Sequence, residues 1–170
     1  MILKTTTYRM LLLTIALITL TGCDGDIDRV KDGFMPMYSK SLTVDQALSS
    51  WSNKEGCTNT SWNKYTSDRG EKFVQFTCEI DQKNVEVINQ EDQVFKNDLR
   101  NAKIIFNFVL SASDKSFTKG PIMLEYTFKD NKKYTEQDHS DNIMESYLAG
   151  AYADRARAVI IYSRAYNNRK

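Results

Sequence analysis

The chain has 170 residues, with 23 Lys+Arg against 22 Asp+Glu and one histidine. That near-neutral balance lacks the excess of positive charge with which proteins neutralise phosphate backbones, so nothing points to nucleic acid as a partner. The longest apolar run covers residues 10–20, about half of the roughly 20 residues a helix needs to span a bilayer, which disfavours a permanent membrane-spanning helix.

The first segment, "MILKTTTYRMLLLTIALITLTG", places Lys4 and Arg9 before the apolar run and small residues after it. This is the three-part layout of a secretory signal peptide. Immediately after it, "LTGC" (Leu20, Thr21, Gly22, Cys23) resembles the lipobox of bacterial lipoprotein precursors. The resemblance implies cleavage after Gly22, a diacylglycerol on the Cys23 sulfur and acylation of its new amino group. It therefore implies attachment to a membrane through an N-terminal lipid, with palmitate as an expected acyl chain. In enteric-type bacteria an acid directly after the lipidated cysteine resembles a signal for retention in the inner membrane, and Asp24 holds that position. The expected address is thus the bacterial envelope, facing the periplasm, at the inner rather than the outer membrane. The competing reading is an ordinary signal peptide that ends near a cysteine. Removal of residues 1–22 also removes Lys4 and Arg9, leaving acids one ahead of bases.

Residues 23–32 contain "DGDIDRVKD", which is acidic, short and Gly-containing and predicts a flexible lipidated tether. A single domain is expected over 33–170. Its first helix is marked by "SLTVDQALSSW", where Thr43 and Gln46 have capping-box spacing. Val44, Ala47, Leu48 and Trp51 follow at i, i+3, i+4 and i+7, a stripe that places Trp51 in a core rather than on a ligand platform.

Two cysteines, Cys57 and Cys78, remain in a chain sent to an oxidising compartment, and they predict a disulfide. No CxxC suggests redox catalysis, and two thiols without matching ligands make a poor zinc site. Cys57 falls in a loop after the helix. Cys78 falls on a strand, in a hairpin with one arm around 62–66, a turn at "SDRG" and a second arm over 72–80. In that second arm Val74, Phe76, Cys78 and Ile80 share a face.

Residues 81–102 are polar and hard to read, with "VEVI" as a possible extension of the sheet and "QEDQVFKNDLRNA" as a short helix or surface loop. Two strands follow, "KIIFNFVLSAS" and "PIMLEYTFKD", separated by "DKSFTKG". Their alternating residues, Ile104, Phe106, Phe108 and Leu110, then Ile122, Leu124, Tyr126 and Phe128, require cover. A C-terminal helix supplies it, beginning near Ser140 with Met144, Tyr147, Leu148, Ala151 and Tyr152 as its stripe. Residues 157–166 read either as more helix or as a terminal strand. The expected fold is α+β: a small antiparallel sheet of about four or five strands with one short and one longer helix packed on it.

Little in the sequence carries chemistry. His139 lies beside Glu136, Asp138 and Asp141, a set of metal-ligand types that reads instead as a solvated helix lead-in. Glu91 and Asp92 are adjacent and cannot face each other across a cleft. No metal, cofactor or catalytic residue is expected, and no enzyme. Arg155, Arg157, Arg164, Arg169 and Lys170, with Tyr152, Tyr162 and Tyr166, form a basic end. It reads either as a surface for a partner or anionic headgroups, or as a helix C-terminus matching its dipole. The segment 30–80 also resembles small periplasmic lipoproteins of uncharacterised function, through the spacing of "TVDQAL", "SWNKYT" and "VQFTCEI". Accessory lipoproteins of this build imply a lipid-anchored envelope protein whose domain binds another protein. An exclusion lipoprotein carried by a plasmid or phage, and a periplasmic small-ligand-binding or enzymatic domain, are the alternatives.

Overall fold

Strand alternation and one strong helix cap account for most of the architecture in the computed structural model, which describes residues 25–91, 98–137 and 144–153. In chain order the elements are α1 (Gly25–Lys31), α2 (Val44–Glu55), β1 (Cys57–Thr66), β2 (Lys72–Ile80), α3 (Gln82–Glu91), β3 (Leu99–Leu110), β4 (Phe117–Phe128), β5 (Lys133–Gln137) and α4 (Met144–Tyr152). The strands form one antiparallel meander in the order β1-β2-β3-β4-β5. The fold is α+β.

Alternation puts Val74, Phe76, Cys78 and Ile80, then Ile104, Phe106, Phe108 and Leu110, then Ile122, Leu124, Tyr126 and Phe128 on one buried face. Val30, Val44, Ala47, Leu48, Trp51, Val85, Leu148, Ala151 and Tyr152, drawn from all four helices, join the same cluster. At its centre Trp51 meets the ring of Phe106 edge to face, with centroids 5.1 Å apart. Helix α2 starts as its sequence dictates: Gln46 N–H donates to Thr43 Oγ1 at 3.2 Å, and Thr43 N–H donates to Gln46 Oε1 at 3.0 Å. It stops at Gly56, whose left-handed φ of 71° closes the last turn.

Several expectations are corrected. The segment taken for a flexible tether is helical from Gly25, because Ile27 and Val30 supply an apolar edge that its many charges mask. Val30 is fully buried, and the acids of the first turn and the bases of the last suit the helix dipole. The stretch "VEVI" belongs to α3 and adds nothing to the sheet. Asp81 Oδ1 accepts from Asn84 N–H at 2.7 Å and caps a helix there, which overrides the β-branched side chains. "KYTEQ" is a fifth strand rather than a lead-in to the final helix: residues 129–132 turn with Asn131 at φ 64°, and Tyr134 stacks on Tyr126 across the ladder.

Strands β3 and β4 each begin four residues before their expected starts and end two or three residues before their expected ends, so their connection is 111–116 rather than 114–120. Pro121 was expected to open β4, but a bulge accommodates it: Phe106 pairs with Ile122 and Phe108 with Lys119, so Gly120 and Pro121 together face Asn107.

Cys57 opens β1 directly after the Gly56 cap, rather than lying in a loop, and is disulfide-bonded to Cys78 with a Cα separation of 5.5 Å. The bridge ties the end of α2 to the second strand. Replacing both cysteines by serine is expected to lower unfolding free energy by about 3 kcal/mol, the loop-closure value for a loop this size. Urea titration measures it; a double variant within about 0.5 kcal/mol of the parent, the scatter of neutral substitutions, would contradict it.

Candidate functional site: the open face of the sheet

Residues that alternate away from the core form the second face of the sheet, and among the described helices none packs on it. Strand register arranges this face in rows. An aromatic row runs Tyr65, Phe73, Val109 and Thr118. An amide row runs Asn63, Gln75 and Asn107 to the β4 bulge. A third row runs Ser61, Thr77, Ile105, Met123 and Gln137, and a charged row runs Glu79, Lys103, Glu125 and Thr135.

Tyr65 and Phe73 stack with their rings nearly parallel, 4.9 Å apart, yet Tyr65 remains 42% exposed. Below them Asn107 is 1% exposed although it lies on the uncovered side. Its Oδ1 accepts from Tyr65 Oη at 3.3 Å and from Gln75 Nε2 at 3.1 Å, and its Nδ2 donates to the Pro121 carbonyl at 2.7 Å. The amide thus satisfies a backbone carbonyl that the bulge takes out of the ladder, and fixes two side chains from neighbouring strands. Burial raises the pKa of the Tyr65 hydroxyl above its usual value.

In the charged row Lys103 Nζ lies 2.7 Å from Glu79, and Lys133 Nζ lies 3.6 Å from Glu125. The hydrogen bond from Lys103 holds the Glu79 carboxyl below its usual range. Such part-exposed pairs contribute little stability, but they fix a pattern of alternating sign on the sheet surface.

The residues expected to carry function are distributed unevenly. Cys57 and Cys78 form the bridge described above. Cys23 and Asp24 lie outside the described residues, as do Asp138, His139 and Asp141, and Arg155, Arg157, Arg164, Arg169 and Lys170. Glu136 is on β5. Among the described residues no cluster of His, Cys, Asp and Glu has the arrangement to hold a metal ion. Tyr152, read both as part of the stripe of the final helix and as part of the basic end, is buried with the stripe: its ring stacks on Tyr38 at 5.4 Å, and burial pushes its hydroxyl up to about 12.

Tyr65, Gln75 and Asn107 were not singled out in the sequence. The one local signal was an asparagine interrupting "IIFNFVL" opposite a Gly-Pro pair. No protein family, curated protein or solved structure matches the chain.

Proposed function

We propose that this chain is a lipid-anchored protein of the bacterial envelope, held on the periplasmic side of the inner membrane through Cys23, whose domain is a non-enzymatic accessory module that binds another protein through the open sheet face. The lipobox-like "LTGC" followed by Asp24 supports the address. The reading of the domain is carried by the uncovered face itself, where an exposed tyrosine is held rigidly over a satisfied amide network. Rigid aromatics with amides beside them are favoured at protein interfaces, because they offer large contact area at a small entropic cost.

The test is cross-linking in intact cells with a photoreactive phenylalanine at position 65 or at position 53. Asn53 is exposed on α2, on the other side of the sheet. A discrete protein adduct from position 65 and none from position 53 is the expected result. Equal or absent adducts at both positions would remove the open face as the binding surface.

A further inference from the structure

Helix α1 does more than begin the domain. The guanidinium of Arg29 reaches the connection between β3 and β4, where Nε donates to the Lys115 carbonyl at 2.7 Å and Nη2 to the Asp114 carbonyl at 2.9 Å and the Ser111 carbonyl at 3.3 Å. Nη2 also donates to the Ser116 carbonyl. One side chain therefore closes a ring of four backbone carbonyls, groups that neutral donors alone would leave competing with water. Asp26, one turn earlier, lies 4.0 Å from the same guanidinium, so the hairpin tip sits beside the first turn of α1. Val30 is fully buried beneath, and Lys31 Nζ lies 6.0 Å from the centre of the Trp62 ring on β1. Just past α1, a Cβ on Gly33 would come within 2.2 Å of the ring of Phe117, the first residue of β4, so the chain leaves the helix pressed against the same end of the sheet. Glycine is the residue that permits this approach.

One residue, Asp24, separates Cys23 from the start of α1 at Gly25, two chain steps that span at most about 7 Å even when extended. Resting on the lipid-anchor reading, we infer that the domain is not free to swing beneath its lipid. Instead, the sheet end carrying the 67–71 turn and the 111–116 connection rests on the phospholipid headgroups, oriented there by the Arg29 clasp. Both tips lie at this end by register, since Thr66, Lys72, Leu110 and Phe117 are the strand residues that border them. Their composition suits that surface. "SDRGE" and "SASDKS" offer hydroxyls, three acids and two bases, and no large apolar side chain, so they sit at the headgroup level without entering hydrocarbon. Phe34, directly after Gly33 and 49% exposed, provides an apolar contact at the headgroup boundary. The opposite end, with the 129–132 turn, then points about 35 Å into the periplasm, the length of a strand such as β4. The open face stands roughly upright between them.

The full-length lipidated protein is reconstituted in vesicles of phosphatidylethanolamine and phosphatidylglycerol containing a headgroup-linked quencher. A fluorophore is placed on Ala112→Cys or on Lys129→Cys, both exposed positions at opposite ends. Quenching several-fold stronger at position 112 is expected, with the difference collapsing in Arg29→Ala while circular dichroism stays unchanged. Equal quenching at the two positions, stronger quenching at 129, or a difference that survives Arg29→Ala overturns the proposal. Failure of the protein to float with the vesicles at all sinks the lipid anchor and the orientation together. Flotation with equal quenching sinks the orientation alone.

Discussion

When the domain is exported behind an ordinary cleavable signal peptide, Cys23→Ala is expected to move the protein entirely from the membrane fraction to the soluble periplasmic fraction and to abolish incorporation of radioactive palmitate. The size of the effect follows from the chemistry of anchoring. Each acyl CH₂ buried in the bilayer contributes about 0.8 kcal/mol, and two or more chains give attachment that does not reverse on a cellular timescale. Among the described residues no helix is long and apolar enough to cross a membrane. Headgroup contacts by polar hairpin tips supply at most about 1 kcal/mol per basic residue, far too little to replace the lipid. Palmitate label that persists on the alanine variant, or a variant that still sediments with membranes after a salt wash, would refute the anchor.

The largest effect on folding is expected at Trp51. Trp51→Ala should lower unfolding free energy by about 3–5 kcal/mol, the range for removing a buried large aromatic. Trp51 is 1% exposed and contacts Phe106 edge-on at 5.1 Å, while Phe106 lies 6.1 Å from Phe76, so one deletion opens a void under the two central strands. Trp51→Phe retains most of the volume and should cost much less, about 1.5 kcal/mol or below. Urea titration of both variants checks this. An alanine variant no less stable than the phenylalanine one would show that α2 is not packed as described.

What was legible in the sequence was whatever depended on near neighbours. Thr43 and Gln46 announce the α2 cap because the two groups that bond are three positions apart. The inward faces of β2, β3 and β4 follow from simple alternation. The two cysteines pair because few alternatives exist for them. Readings failed where a distant contact decided the outcome. The charge of 24–32 suggests a solvated tether, yet Val30 and Arg29 commit it to a helix through partners on other elements. In the same way, β5 depends on a turn held by Asn131 and on stacking of Tyr134 against Tyr126.

The candidate surface was hidden for a related reason. Alternation labels Asn107 outward and therefore solvated, but it is buried by Tyr65 and Gln75, its hydrogen-bond partners 42 and 32 positions away. By contrast the proposed anchor rests on four adjacent residues, which enzymes of the kind implied by the lipobox resemblance would read before the chain folds.

The Arg29 clasp also has a consequence in time. Its carbonyl partners lie 82 to 87 positions further along the chain. Contacts of such long sequence separation form late, after local hairpins have paid the entropy of closing the loop between them. In a chain delivered across a membrane from its N-terminus, α1 therefore has no seat until the β3–β4 hairpin has emerged and paired. The docking of α1 is thus expected late in assembly, after the β3–β4 hairpin has formed. On the proposed lipid-anchor reading, the clasp that orients the finished domain would therefore close only after the β3–β4 hairpin has been delivered, leaving time for processing at Cys23.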